Sequence, residues 1–159
     1  MHTIKVEKHL ALAEKTGAFA PVEIEVLREV IEDSFGKEDS HYIFFDEKQG
    51  DSLQGYLVFG RTPLTDCGWD AYWLVVDKEV QRKGIGMRLL QRMQQHICRE
   101  RSKAVIRIET AGKKEYAYVR NFYKKAGFEE AGRIPDFYAD GDDLVIFSKT
   151  IKKSPGCLF

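Results

Sequence analysis

The chain has 159 residues, 43% of them hydrophobic and 31% charged, with 25 basic against 25 acidic side chains. That is the size and balance of one globular domain, able to bury about two thirds of its unfolded surface without disulfides or metal. The longest uninterrupted apolar run, residues 71–76, is far below the roughly 18 residues a membrane helix needs, which excludes a transmembrane span.

In chain order, residues 2–8 alternate weakly and read as a strand. Residues 21–35 read as a helix: Pro21 suits a first turn, and Val22, Val26, Leu27, Val30, Ile31 and Phe35 recur at three- and four-residue steps. Tyr42–Phe45 and Leu53–Phe59 read as an antiparallel hairpin turning at Gln49-Gly50-Asp51. Asp70–Val76, apolar on both faces beyond Asp70, belongs in the middle of a sheet. Residues 85–99 form an amphipathic helix, with Ile85, Leu89, Leu90, Met93 and Ile97 on one stripe and Arg88, Gln91, Arg92 and Gln95 opposite. Ala104–Ile108 is the next strand, and a strand–helix–strand unit with short joints makes a parallel pair. Tyr116–Ala126 is a helix closed by Gly127. Phe128–Ile134 and Leu144–Lys149 form a last hairpin across Asp140-Gly141-Asp142. The sum is a mixed α/β sheet with helices on both sides.

The N-terminus alternates charge and has no apolar signal core, which argues against secretion. Cys67, Cys98 and Cys157 form no paired or metal-spaced set and suit free thiols in a reducing compartment, so a cytoplasmic protein without a metal is expected. Cys157 is third from the end, which does not fit a prenylation signal.

The charge is balanced only in total. Residues 78–128 carry 14 basic and 4 acidic groups, whereas 1–77 carry 7 and 15. A basic block of this kind attracts phosphate-rich molecules or nucleic acid. Within it, Leu74-Val75-Val76 runs into the loop Gln81-Arg82-Lys83-Gly84-Ile85-Gly86-Met87, which opens a helix. Glycines let the backbone approach a ligand, and the free amides of a helix start favour anions. The loop therefore suits a phosphate or pyrophosphate. It is not a P-loop, because no Lys-Ser/Thr follows Gly86. It is not the dinucleotide fingerprint either, because Leu89 stands where the third glycine is needed.

Gln81-Arg82-Lys83-Gly84-Ile85-Gly86 resembles the acyl-CoA signature of the GNAT superfamily of N-acetyltransferases, Gln/Arg-x-x-Gly-x-Gly/Ala. Leu74-Val75-Val76 is similar to the family's splayed central strand, and Arg120-Asn121-Phe122-Tyr123-Lys124-Lys125-Ala126-Gly127-Phe128 is similar to its second signature. The resemblance covers about residues 42–150. It implies one N-acetyltransferase domain over 1–159 with a tail at 152–159. The implied fold has a mostly antiparallel sheet, one splayed parallel pair, and helices on both faces.

The resemblance further implies acetyl-CoA as cosubstrate. The amides of Gln81, Arg82, Lys83, Gly84, Ile85, Gly86 and Met87 would hold its pyrophosphate, and Leu74, Val75 and Val76 would pair with its pantetheine arm. An amide near Val76 would polarise the thioester carbonyl. Arg82, Lys83, Lys124 and Lys125 would steer the anion. Tyr123 aligns with the tyrosine that protonates the departing thiolate, and a phenol near its ordinary value serves as that acid without a large shift. Two family positions differ, with Tyr116 where Asn is common and Val119 where Ala is common. The first departure puts in doubt the contact that the Asn makes to the CoA arm or a water.

A primary amine is only about 0.04% neutral at pH 7, so a base must take its proton. Asp70 and Glu109, at strand ends, are both candidates, directly or through water. Asp136-Phe137-Tyr138-Ala139-Asp140-Gly141-Asp142-Asp143 joins four acids to two aromatics and suits a cationic acceptor, unless the acids cap their own turn. Residues 60–65 with Asp70, Tyr72 and Trp73 would form the opposite wall, and Arg61 would suit a carboxylate on the acceptor. The function expected is acetyl transfer to a primary amine of a small or amino-acid-like molecule by direct attack in a ternary complex. A non-catalytic acyl-CoA sensor of the same fold is the alternative. A nucleic-acid partner is not expected, because the basic residues cluster at a helix start and a helix face. Homodimers are frequent in such a family, though no residue marks an interface.

Overall fold

The computed structural model describes residues 2–153, with side chains from Lys5 onward. Cys157 and most of the tail 152–159 lie outside the described residues. The elements are α1 (His2–Thr16), α2 (Pro21–Gly36), β1 (Ile43–Gln49), β2 (Ser52–Arg61), β3 (Gly68–Val76), α3 (Ile85–Glu100), β4 (Lys103–Ala111), α4 (Ala117–Lys125), β5 (Glu129–Ala139) and β6 (Asp142–Lys152). Six strands form one mixed sheet in the order β1-β2-β3-β4-β6-β5. No described helix is long and apolar enough to cross a membrane.

The chain divides into two compact units. One holds the chain up to Gly60 together with Trp73–Met93; the other holds Arg61–Tyr72 and the chain from Gln94. In the first unit, Val6, Leu10, Leu12 and Ala13 of α1 and Leu27, Val30 and Ile31 of α2 bury against Tyr56, Val58 and Val75. Residues 2–8 are therefore helical, not a strand. The weak alternation over seven residues is overridden by a 3.6-residue period that emerges only over the whole of 2–16, with Val6, Leu10 and Ala13 on one face. Within α2 the buried stripe is narrower than expected, since Val22 and Val26 are exposed. The α2 start is closed by Glu23, whose carboxylate accepts the Ala20 amide at 2.7 Å.

β1 and β2 pair antiparallel as expected, with an irregularity at Glu47/Lys48 opposite Gly55. Gly55 is required there: a Cβ would lie 2.8 Å from the Val75 carbonyl oxygen and 3.0 Å from Ile85 Cγ2. His9 is buried among the rings of Phe35, Phe44 and Tyr56. Its Nε2 lies 2.8 Å from Asp46 Oδ1 and its Nδ1 2.7 Å from the Lys5 carbonyl. Burial works against the charge of Asp46, but the bonds to His9 and Lys48 outweigh it and hold the carboxyl below the usual range.

In the second unit β3 pairs parallel with β4 from Gly68↔Val105 to Ala71↔Ile108, while β3 itself continues to Val76 and β4 to Ala111. β6 is flanked by β4 and β5, both antiparallel. The buried stripe Ile85, Leu89, Leu90, Met93 and Ile97 of α3 is as expected. A 3-10 turn, Lys114–Tyr116, precedes α4, so the regular helix begins at Ala117. The last hairpin is longer than its apolar alternation suggested, because Asp136–Tyr138 are carried in β5 as an irregular stretch between Ile134 and Ala139.

Candidate active site

The loop 81–87 and the end of β3 that the sequence points to for the cosubstrate are in the first unit, whereas Lys124 and Lys125 are in the second. Asp77 donates its amide to the Gln54 carbonyl of β2 at 2.9 Å. Amides alternate sides along a strand, so the Val76 and Leu74 amides point to the edge of β3 away from β2. Asp77 also caps the 3-10 turn Lys78–Val80, accepting the Glu79 amide at 3.0 Å, and it pairs with Lys15 at 3.0 Å. The Glu79 amide, then Lys15, hold its carboxyl below the usual range. Gln81 Nε2 donates to the Val76 carbonyl at 3.4 Å.

Two left-handed residues follow, Arg82 at φ 69° and Gly84 at φ 76°. Left-handed residues alternating with right-handed ones turn successive amides into a concavity suited to an anion. Gly84 adopts this conformation freely; Arg82 does so at a cost, which marks a loop held for a purpose. The first α3 bond runs from the Arg88 amide to the Gly84 carbonyl at 3.0 Å, so Ile85, Gly86 and Met87 keep amides with no intrahelical acceptor.

The basic face of α3 is mostly structural. Arg88 bonds Glu47 at 2.7 Å and the Lys83 carbonyl at 2.9 Å, and Arg92 bonds the Asp46 carbonyl at 2.8 Å over the ring of Phe45. Arg82 and Lys83 stand exposed at the loop, and Lys124 and Lys125 are exposed at the end of α4.

The second unit holds the acid–base candidates. Tyr123 is buried against Phe122, Phe128 and Phe147. Its hydroxyl has no hydrogen-bond partner among the described residues. Burial, with a smaller effect of Tyr118, pushes its phenol up to about 12. The ordinary value expected from the sequence is therefore corrected: the ring is packed in the core, and the charged form is not solvated there.

Asp70 and Glu109 lie in one cleft of about 110 Å³ with Ala71, Tyr72 and Arg107. Asp70 is buried, and both its oxygens are engaged: Oδ1 accepts Arg107 Nε at 2.6 Å and Oδ2 accepts Thr62 Oγ1 at 2.8 Å. The bond to Asp70 also holds the Arg107 guanidinium more firmly charged, against its partial burial. Glu109 is half-exposed, 3.6 Å from Arg107 at the nearest, and makes no hydrogen bond among the described residues.

The acidic hairpin uses its own charges. Asp143 accepts Arg133 at 2.9 Å and the Asp136 amide at 3.0 Å, Asp136 accepts the Gly141 amide at 2.7 Å, and Asp142 is buried beside Lys113 at 3.4 Å. Asp136 and Asp143 cap the turn, Asp143 also pairs with Arg133, and Asp142 is taken by Lys113 from outside the hairpin. Phe137 and Tyr138 stay exposed with rings 5.3 Å apart. Arg61 lies over Trp69 and 3.9 Å from Glu100.

Arg107 and Lys15 were not expected from the sequence, and Thr62 was expected only within the 60–65 wall, not as a partner of Asp70. Arg107 had a signal: it precedes Glu109 by two residues on a strand and so shares its face. Thr62 and Lys15 had none, since their partners are brought by tertiary contact.

A family model described as an acetyltransferase (GNAT) domain matches residues 38–130. Among solved structures, one described as a GNAT-family acetyltransferase from Desulfovibrio desulfuricans is 29% identical, with TM-score 0.87 over 94% of this chain and 92% of that one. The ribosomal-protein-S18-alanine N-acetyltransferase from Escherichia coli is 17% identical, with TM-score 0.75 over 100% and 96%. An aminoglycoside 6'-N-acetyltransferase complexed with coenzyme A is also 17% identical, with TM-score 0.72 over 96% and 93%. No curated protein matches the chain.

Proposed function

The chain belongs to the GNAT family of acetyltransferases, and on that premise we propose that it transfers acetyl from acetyl-CoA to a primary amine of a small molecule in the cytoplasm. The observation that carries the reading is the loop after β3, where Arg82 and Gly84 are left-handed and three first-turn amides of α3 have no intrahelical acceptor. Backbone donors in that number, rimmed by Arg82 and Lys83, fit a pyrophosphate. The outward amides of Leu74 and Val76 fit the pantetheine arm and the thioester oxygen.

Acetyl-CoA supplies an acetyl group activated as a thioester. Glu109 takes the proton that the acceptor ammonium must lose, because its carboxylate oxygens accept no hydrogen bond among the described residues and keep only the 3.6 Å ion pair to Arg107, whereas both oxygens of Asp70 are hydrogen-bonded. The freed amine forms the C–N bond as the C–S bond breaks, and the acylated nitrogen then loses its second proton to solvent, leaving the neutral amide. Tyr123 donates a hydrogen bond from its hydroxyl to the departing sulfur. With its phenol near 12 and a thiol near 8.5, full transfer would be uphill by about 5 kcal/mol, so Tyr123 keeps its proton and stabilises the thiolate, which takes one from solvent. Glu109 returns its proton to solvent. The exposed Phe137–Tyr138 pair offers ring faces to a cationic acceptor.

The test is a panel of primary amines assayed for free CoA release, beside thermal unfolding with acetyl-CoA. Stabilisation with release supports transfer. Stabilisation with no release from any amine supports the sensor instead, and no stabilisation at millimolar acetyl-CoA removes both.

A further inference from the structure

Beyond the transfer itself, the cleft in the second unit carries information about the acceptor. Asp70 and Arg107 are register partners on the parallel strands β3 and β4, so their side chains emerge on one face, and Glu109 follows on that face two residues later. The β6 partners of Arg107 and Glu109 are Ser148 and Ile146, which bring no charge. The charged groups facing the cleft are therefore Asp70, Arg107 and Glu109, with Tyr72 the remaining titratable side chain.

These three acids and bases are not equivalent. Thr62 fixes Asp70, and Asp70 fixes Arg107 through Nε alone. The guanidinium has five N–H donors, and among the described residues Arg107 makes no other hydrogen bond. Its contact to Glu109, 3.6 Å, is an ion pair too long for a hydrogen bond. Asp70 is buried, whereas the side chains of Arg107 and Glu109 are 49% and 43% exposed. What the cleft presents to a ligand is thus one fork of cationic donors beside one carboxylate, joined to each other by an ion pair but not by a hydrogen bond. An α-amino acid carries the complementary pair, a carboxylate and an ammonium on adjacent atoms. A volume of about 110 Å³ has room for that head group, and Tyr72 would lie along its side chain.

We propose that Arg107 determines acceptor specificity by binding the carboxylate of a free α-amino acid whose ammonium lies at Glu109. The proposal rests on the acetyl-transfer reading above, with Glu109 as base. An acceptor lacking the carboxylate leaves the Arg107 donors without a partner other than water, and one charge-assisted bond is the scale of the loss.

The experiment compares kcat/KM for CoA release with L-alanine and L-phenylalanine, with their amides, and with ethylamine and 2-phenylethylamine. For at least one pair, the amino acid should exceed its matched amine about tenfold or more in the wild type. In Arg107→Met that ratio should fall to near one, while Arg107→Lys, which keeps the charge and guards against misfolding, should retain part of it. Equal rates for acid and amine overturn the proposal, as does a ratio that persists in Arg107→Met. Amides as good as the acids also overturn it, since a carbonyl and not a carboxylate would then be read. Glu109→Gln separates the two levels. If it leaves every rate unchanged, the base assignment fails; if it abolishes release while Arg107→Met keeps the ratio, only the Arg107 proposal fails. No release from any of the six acceptors would overturn the Arg107 proposal and leave the transfer reading to the wider amine panel.

Discussion

Replacing Gly84 with alanine isolates the backbone contribution of the loop. The new Cβ meets only Arg88 Nη1 at 3.4 Å, ordinary contact with a flexible side chain, so sterics beyond the backbone are minor. What remains is the cost of φ 76° for an L-residue, about 1–2 kcal/mol. The variant relieves that strain by leaving the left-handed conformation, and acetyl-CoA must then restore it. The strain is transferred to binding and should weaken Kd by about 5- to 30-fold. The control is Gly50→Ala in the β1–β2 turn, also left-handed at φ 58° with nothing near its Cβ. It carries the same backbone cost away from the loop. Thermal unfolding at acetyl-CoA equal to 100 times the wild-type Kd should show about 2.7 kcal/mol of stabilisation for the wild type and Gly50→Ala, roughly 5–11 °C. A tenfold weaker Gly84→Ala should show about 1.4 kcal/mol at the same concentration. Should Gly84→Ala bind acetyl-CoA as tightly as Gly50→Ala, the left-handed amides do not hold the phosphates and the reasoning is refuted.

Tyr123→Phe should lower turnover about 100-fold while leaving acetyl-CoA affinity within twofold, because the hydroxyl has no partner among the described residues to lose; unchanged turnover would take Tyr123 out of the mechanism. Asp46→Asn should cost about 1.5 kcal/mol in urea unfolding at pH 7, since it removes the charge from the half-buried acceptor of the His9 hydrogen bond. The Asp46 carboxyl lies below its unfolded value, so its contribution is present above the ordinary carboxylate range and is lost as pH falls through the lowered value; the gap between wild type and Asp46→Asn should close below about pH 4. Gly55→Ala should cost about 1–3 kcal/mol by forcing β2 off the Val75 carbonyl and Ile85, read as a lower Tm without ligand.

Most elements were legible before folding because each repeats its own period within one segment. The α3 stripe is five buried residues at three- and four-residue steps, and β3 reads as central because it is apolar on both faces. α1 was illegible over 2–8, since seven residues span under two helical turns and a polar His9 sits on the buried face. The loop 81–87 was legible as a motif. Its left-handed Arg82 was not, because arginine has no preference for that conformation and only the surrounding turn imposes it.

The side-chain chemistry divides along the same line. The sequence by itself determined the period of nearly every element, the glycine-containing loop after a buried strand, and which residue types were available for acid–base work. Tertiary structure decided which of those residues are free. Asp142 and Asp143 are consumed by Lys113 and Arg133, and Asp70 by Arg107 and Thr62, while Glu109 keeps its oxygens unbonded. A carboxylate oxygen is engaged by whichever donor the chain brings within hydrogen-bond distance, and those donors lie 8 to 37 residues away along the chain, a distance no local period records.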